Sequence, residues 1–189
     1  MGEIMTLRGA LPFEFGAASG FGTGDEHLIF SYESPDRKKA WKVRFARMWI
    51  QECINQAGPD QRALAQFTLS TDTLDIRNSA VTNFATAQRW VNLMGAGDNR
   101  TIGWLTSDYL NRDNVSADFL MQSYRAPDML LDADRIVTNQ LYIQCYGLHE
   151  SNAAVNVVFN YYIELEEIKV TPVQSVFQQL KGIGQNIDS

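Results

Sequence analysis

Residues 155–168 alternate apolar and polar side chains over a longer stretch than any other part of this chain. The apolar positions are Val155, Val157, Phe159, Tyr161, Ile163 and Leu165, and the polar ones include Asn156, Asn160, Glu164 and Glu166. Successive side chains of a β-strand point to opposite faces, so this period predicts a long strand with one buried face. A chain that contains such a strand must bury its apolar face against a second layer.

A second alternating run lies at residues 136–146. Its apolar face carries Val137, Leu141, Ile143 and Cys145. The polar sequence at residues 149–152 separates this run from the one at residues 155–168. Because two alternating runs joined by a short polar link are typical of a β-hairpin, we predict that the two strands pair with each other.

Shorter segments predict the rest of the architecture. Strand-like composition or alternation occurs at residues 27–33, 40–51, 66–70 and 101–110, the last with a bulge at Gly103. Residues 75–94 fit either a helix or a strand, and residues 114–124 fit a short helix. Many strands with few helices predict an all-β fold, an antiparallel β-sandwich of jelly-roll type with short helical insertions and a C-terminal helix.

The expected domain organisation has three parts. Residues 1–26 form an N-terminal arm rich in glycine and phenylalanine, residues 27–170 form the sandwich, and residues 171–189 form a helix and tail. Within the arm, residues 9–24 are expected to be irregular and to dock in part on a surface through their phenylalanines. Thr171 is the predicted N-cap, Pro172 takes the first helical position, and Gln174 completes a capping box. The helix has an apolar stripe formed by Val173, Val176, Phe177 and Leu180, and it is expected to end at Gly182 and Gly184.

The cysteine and histidine content limits the kinds of metal and catalytic site that the chain can form. The 189 residues contain only two cysteines, which excludes a disulfide scaffold and a cysteine-based zinc site. The two histidines, His27 and His149, are far apart in the sequence, so the chain lacks the His-x-His pair of a metal-binding cupin. Cys53 and Cys145 lie in apolar runs and are expected to be buried thiols. No nucleophile, base and orienting group can be named together, so the chain is not expected to be an enzyme or to use a cofactor. No run approaches the roughly 18 apolar residues of a membrane span.

Three carboxylates, at Asp128, Asp132 and Asp134, lie within seven positions before a predicted strand. Carboxylate oxygens are ligands for hard cations, so these residues are a candidate metal site. They lack the spacing of an EF-hand loop, and Asp132 to Asp134 fits ordinary turn chemistry equally well.

The net charge is −6, yet six basic residues fall within eleven positions. This basic cluster comprises Arg37, Lys38, Lys39, Lys42, Arg44 and Arg47. One interpretation is a strand with a solvated basic face. The other is a patch that faces nucleic acid, with Trp41 and Trp49 nearby. Alternation places Trp41, Val43, Phe45 and Trp49 on one face, interrupted by Arg47, which favours tryptophans that point into the core.

The C-terminal block carries a resemblance to a known family. Residues 135–146, a short link, residues 155–167 and a terminal helix together resemble the end of small single jelly-roll viral capsid proteins, notably those of environmental and marine small viruses. The resemblance implies an icosahedral shell subunit of a virion, with other copies of itself as partners. Many such coats have an arginine-rich N-terminal arm that neutralises the genome. This chain has none, so the basic cluster would be its only substitute for genome contact.

An alternative function remains open from the sequence. A β-sandwich can serve as a carbohydrate- or receptor-binding module that presents exposed aromatic side chains. Tyr142, Tyr146 and Tyr162 fall on the outward positions of the two C-terminal runs and could form a stacking platform.

Overall fold

The computed structural model describes residues 2–15, 25–54, 61–73, 99–111, 120–122, 128–149 and 155–185. These residues form nine strands and one helix. The strands are β1 (Ile4–Phe15), β2 (Asp25–Ser31), β3 (Lys39–Ile54), β4 (Gln61–Ser70), β5 (Thr101–Asn111), β6 (Leu120–Gln122), β7 (Leu130–Leu131), β8 (Gln140–His149) and β9 (Val155–Lys169). The helix is α1 (Pro172–Gln185).

The strands form two antiparallel sheets that face each other. The small sheet has the order β1-β9-β3, and the large sheet has the order β2-β8-β4-β5-β6, with β7 also paired to β5. Phe159 from the small sheet and Phe67 from the large sheet meet in the core, with ring centroids 4.6 Å apart in an edge-to-face arrangement. The predicted all-β antiparallel sandwich is confirmed.

The strand pairs are nested along the chain. The first strand, β1, pairs with the last, β9, and β2 pairs with β8. Further inside, β4 pairs with its sequence neighbour β5. The β1–β9 pair therefore lies in the small sheet, whereas the β2–β8 and β4–β5 pairs lie in the large sheet.

Residues 128–137, which we call the bridging segment, form backbone hydrogen bonds with one strand of each sheet. Near its ends, the amide of Met129 donates to the carbonyl of Ala46 at 2.9 Å, and Val137 and Trp41 exchange two backbone hydrogen bonds. Between these points, the segment pairs with β5 through β7 and through the Asp132 amide, which donates to the carbonyl of Ile102 at 2.9 Å. The segment thus bonds β3 of the small sheet and β5 of the large sheet.

The predicted hairpin between residues 136–146 and 155–168 is wrong. Both runs contain the predicted strands, but β8 belongs to the large sheet and β9 to the small sheet. Alternation specifies that a strand has one buried face, and it carries no information about which strand lies beside it. Two consecutive strands that lie in different sheets show the same alternation as the two strands of a hairpin.

Residues 4–15 of the expected arm form β1 and pair with β9 along their whole length, so the expected irregular structure is wrong over residues 9–15. Residues 16–24 lie outside the described residues. Met5, Leu7, Leu11 and Phe13 pack on the core and alternate with exposed residues. Gly9 hides this alternation in the sequence. A side chain there would collide with the ring of Tyr161, since a Cβ would lie 2.9 Å from its Cε1 atom. Pro12 is tolerated because β1 lies at the edge of its sheet.

The expected inward position of Phe45 and Trp49 is also wrong. The register between β3 and β9 shifts between Val43 and Phe45, so Arg44 is an extra residue. Before the bulge Trp41 and Val43 are buried, and after it Ala46 and Met48 are buried instead. A one-residue insertion reverses the faces of all later residues. Phe45, Arg47 and Trp49 therefore lie on the outer face of the small sheet, which explains why an arginine interrupts the apolar row.

Four further predictions concern local features of the chain. The register of β5 shifts beside Gly103, between the pairs Leu69–Gly103 and Ser70–Thr101, where the bulge was predicted. The predicted helix at residues 114–124 is wrong at Leu120–Gln122, which pairs with β5. The segment 75–94 lies outside the described residues. The terminal helix continues past Gly182 and Gly184 to Gln185.

Candidate interaction surfaces

The basic cluster begins in a tight turn before β3. The amide of Arg37 donates to the carbonyl of Ser34 at 3.1 Å, and Arg37 has a positive φ of 54°. The amide of Lys38 and the hydroxyl of Ser34 each donate to Oδ1 of Asp36 at 3.2 Å. The backbone hydrogen bond from Lys38 lowers the pKa of Asp36 below its usual value. The turn predicted at Ser34 to Asp36 is therefore present, and it exposes Arg37 and Lys38.

Most of the cluster is neutralised within the molecule. Four of its six cations lie near carboxylates: Lys38–Asp36 at 3.6 Å, Lys39–Glu167 at 3.0 Å, Arg44–Glu166 at 3.6 Å and Arg47–Asp128 at 2.6 Å. The hydrogen bond to Glu167 raises the pKa of Lys39. Arg37 and Lys42 form no ion pair with any residue that the structure describes. A nucleic acid would therefore compete with internal carboxylates at most of these positions.

An aromatic and arginine-rich patch occupies the outer face of the small sheet. We call Arg8, Phe45, Arg47, Trp49 and Tyr162 the outer patch. Arg8 and Arg47 lie on either side of Tyr162 in the same row of the sheet. The Phe45 ring meets the Tyr162 ring edge-on, with centroids 6.1 Å apart. The guanidinium of Arg47 lies 5.2 Å from the centroid of Phe45.

The hydroxyl of Tyr162 donates to Oε1 of Glu164 at 2.9 Å, which satisfies the polar end of the central aromatic residue. Sequence reasoning missed the outer patch because the bulge at Arg44 moves Phe45 and Trp49 to this face. The sequence does contain one sign of the bulge. Uninterrupted alternation would place the cation of Arg47 on the buried face of the strand.

Helix α1 begins at the capping box that the sequence predicts. The amide of Gln174 donates to the Thr171 hydroxyl oxygen at 3.2 Å, and the amide of Thr171 donates to Oε1 of Gln174 at 3.0 Å. These reciprocal bonds satisfy two backbone donors at the helix N-terminus. The local sequence is sufficient to specify where the helix starts.

The apolar stripe of α1 faces away from the sandwich. Val173 is 78% exposed, and Phe177 and Leu180 are each 57% exposed. Val176, the fourth predicted member, is half-buried. On the opposite side of the helix Ser175 is only 3% exposed, and Gln178 accepts a hydrogen bond from Nη1 of Arg135 at 3.4 Å. The helix therefore contacts the protein through Ser175 and Gln178, while the side chains of Val173 and Leu180 are largely exposed.

The three candidate metal ligands are not brought together. Asp128 pairs with Arg47, whereas Oδ1 of Asp132 accepts the amide of Asp134 at 2.9 Å. Asp132 and Asp134 thus follow the turn interpretation. Over the described parts of the chain, no group of three histidine, cysteine or acidic side chains could hold a metal ion.

The expected tyrosine platform is not assembled from its two described members. Tyr142 lies on β8 of the large sheet and Tyr162 on β9 of the small sheet, so they belong to different layers. Burial raises the pKa of Tyr142, and its hydroxyl donates to Oε1 of Gln140 at 2.8 Å. The side chain of Tyr146 lies outside the described residues. This separation removes the geometric basis for a glycan-stacking surface built on Tyr142 and Tyr162.

Cys145 is buried in the core, as predicted, whereas the side chain of Cys53 lies outside the described residues. Within the described ranges, no helix combines the length and apolar character that crossing a bilayer requires. The sequence matches no protein-family model and no curated protein.

Proposed function

We propose that this protein is a structural subunit that assembles with copies of itself, in the manner of a viral capsid protein within a virion. The observation that carries the proposal is the orientation of α1. Val173 and Leu180 on this helix leave apolar surface exposed to water, at a cost of about 25 cal/mol for each Å² that a partner could bury. Association with another copy removes that surface from water.

The nested strand pairing supports the same proposal. A jelly roll pairs its first strand with its last and its second with its next to last, as β1–β9 and β2–β8 do here. The bonds from Met129 and Val137 to β3 add a further nested pair. Jelly rolls serve as viral capsid domains, so this pairing order supports the capsid proposal.

The basic cluster gives weaker support for genome contact. Since four of its cations have carboxylate partners, Arg37 and Lys42 are the members best placed to contact phosphates. Self-association is therefore the function that the surfaces favour, and genome contact would be confined to few residues.

The test is the assembly state of the full chain over a range of concentrations, measured by light scattering coupled to size-exclusion chromatography and by negative-stain electron microscopy. We expect oligomers or closed particles whose mass increases with concentration. A strict monomer up to the solubility limit would overturn the proposal.

A matched pair of helix variants tests whether the stripe drives assembly. Val173→Glu places a negative charge on the stripe in the first helical turn, where the helix dipole favours it, so the helix is retained. Gln174→Glu adds the same charge one residue away and preserves the capping box. We expect Val173→Glu to abolish assembly and Gln174→Glu to leave it intact. Equal effects of both variants would count against the stripe.

A further inference from the structure

We propose that β1 pairs antiparallel with β1 of a second copy, so that the small sheets of the two copies form one continuous sheet. This inference rests on the proposed self-assembly and names one surface through which copies meet. Strand β1 lies at the end of the order β1-β9-β3, and none of the strands that the structure describes pairs with its other edge. An unpaired strand edge is a template to which a strand of another chain can add.

Alternate residues of β1 direct their backbone groups to this free edge. The amide of Glu167 donates to the carbonyl of Glu3 at 2.8 Å, and these two residues continue the register of β1 and β9. Since bonded and non-bonded pairs alternate along an antiparallel ladder, the odd-numbered residues of β1 bond β9. The even-numbered residues therefore turn their N–H and C=O groups to the free edge. Those before Pro12 are Ile4, Thr6, Arg8 and Ala10, and all four side chains are exposed.

Pro12 and Arg8 restrict the register of a symmetric pair. Pro12 lacks an N–H group, so a register that places it within the paired segment loses a hydrogen bond. A register with Arg8 opposite Arg8 of the second copy sets like charges side by side, which is destabilising. Both are avoided when Arg8 lies opposite Thr6, and Ala10 opposite Ile4, of the second copy. All four free residues of each strand are then bonded, and Pro12 lies beyond the paired segment.

This register gives Arg8 a carboxylate partner that its own copy does not provide. Arg8 forms no ion pair with any residue that the structure describes. Thr6 pairs with Glu164 on β9, so the row from Arg8 continues through Thr6 to Glu164 of the second copy. The two Cα atoms are two strand spacings apart, or about 10 Å, which an extended arginine and a glutamate on the same face can span across a threonine.

Glu164 can accept this additional donor. Its Oε1 atom accepts the hydroxyl of Tyr162 at 2.9 Å, and a carboxylate has further acceptor sites on its two oxygens. Because the arrangement is two-fold symmetric, Arg8 of each copy meets Glu164 of the other. The pair of copies therefore gains two charge-assisted contacts in addition to the backbone hydrogen bonds.

The chemistry of the edge favours a second copy over other occupants. The edge offers N–H donors and C=O acceptors in alternation, and an extended peptide strand presents the matching groups. A nucleic acid would instead place phosphates against carbonyl oxygens and beside Glu164. An unrelated peptide would match the backbone of β1 and would leave Arg8 without a carboxylate at the required position. A second copy supplies both.

The contact is small and closes on itself. Four bonded residue pairs give about eight hydrogen bonds, and a two-fold contact ends at a dimer. Seven residues a side are fewer than the roughly 20–30 of a standard interface. We therefore expect the β1 pair to be occupied where another contact, such as that of α1, already holds the copies close together.

Disulfide trapping between copies tests the pairing and its register. One variant carries Ile4→Cys and the other Ala10→Cys, at positions that the register places directly opposite, with Cα atoms about 5.5 Å apart. Two copies of the same variant would hold their thiols about 20 Å apart, because equal positions are six residues out of register. The control mixture combines Ala10→Cys with Thr106→Cys, an exposed position on the large sheet. Oxidation is carried out where the unmodified protein assembles, and that protein gives the background of the native thiols.

We expect the Ile4→Cys and Ala10→Cys mixture to form cross-linked dimers at least about tenfold more abundantly than the control, because pairing holds the thiols at millimolar effective concentration. Assembly of the unmodified protein without cross-links above the control would overturn the inference while the proposed function stands. Dimers of either variant alone at the same yield would do the same. Failure of the unmodified protein to assemble would overturn the proposed function and this inference with it.

A charge exchange tests the contact between Arg8 and Glu164. Introduced into both cysteine variants, Arg8→Glu should lower the cross-linking yield about tenfold, because carboxylates then face each other at both ends of the contact. Adding Glu164→Arg should restore the yield. An unchanged yield with Arg8→Glu, or no recovery after the exchange, would overturn the proposed register.

Discussion

Arg47 on β3 and Asp128 at the start of the bridging segment are joined through two hydrogen bonds, from Nε at 2.8 Å and from Nη2 at 2.6 Å to the same carboxylate oxygen. The pair lies beside the backbone hydrogen bond from Met129 to Ala46. It therefore fixes the end of the segment that connects the two sheets, at the edge of the outer patch. Its existence depends on the bulge at Arg44, which turns Arg47 outward.

Replacing Asp128 with asparagine is expected to have a small effect on stability. Both side chains are exposed, and exposed ion pairs contribute about 0.2–1 kcal/mol. We expect Asp128→Asn to lower the free energy of unfolding within that range at low salt and by less at high salt, because salt screens the interaction. Urea denaturation at two salt concentrations measures both. A loss independent of salt would show that the carboxylate acts through packing or hydrogen bonding alone.

The Asp36 turn predicts a specific pH dependence. The pKa of this carboxyl is lowered in the folded state by the backbone hydrogen bond from Lys38. Its contribution to stability is therefore present above the unfolded-state pKa and is lost as the pH falls through the lower folded-state pKa. Asp36→Asn keeps an oxygen acceptor but does not titrate, so its unfolding free energy should fall less steeply as the pH drops below about 4. Identical slopes in urea titrations would contradict the assignment.

Loss of the helix cap is expected to act locally. Thr171→Ala removes the hydroxyl that accepts the amide of Gln174, at a cost of about 1 kcal/mol of helix stability. Amide hydrogen exchange in α1 should accelerate about fivefold, while Thr171→Ser, which keeps the hydroxyl, should change little. The global unfolding midpoint should hardly move, because α1 contributes no residue to the described core cluster. A large fall of that midpoint would mean that α1 is integral to the sandwich.

The core prediction concerns the edge-to-face contact between Phe67 and Phe159. Each ring is 1% exposed, and the two come from opposite sheets. Phe67→Ala should lower the free energy of unfolding by about 3–5 kcal/mol, since it removes a buried ring and leaves a cavity. Phe67→Leu should cost less because it retains apolar volume at the same place. Denaturant unfolding monitored by circular dichroism measures both, and equal small losses would argue against a tightly packed interface between the sheets.

Features that depend on a few neighbouring residues were predictable from the sequence. The capping box of Thr171 and Gln174 and the turn at Asp36 require only local hydrogen bonds. Strand β9 was predictable because its inward row, from Val155 to Leu165, is apolar or aromatic at every second position. Strand β1 was missed because Gly9 and Pro12 break the apparent pattern, and their tolerance depends on Tyr161 across the strand and on the edge position in the sheet.

The surfaces on which the proposed function rests were not predictable in this way. The sequence by itself determined that α1 has an apolar stripe and that long one-sided strands form two layers. Only the tertiary structure decided that Val173 and Leu180 face solvent, that β8 and β9 lie in different sheets, and that the bulge at Arg44 places Trp49 on the outer face. The physical reason is that periodicity is set by neighbouring residues, whereas strand partners, register and helix orientation are set by hydrogen bonds and packing between residues far apart in the chain.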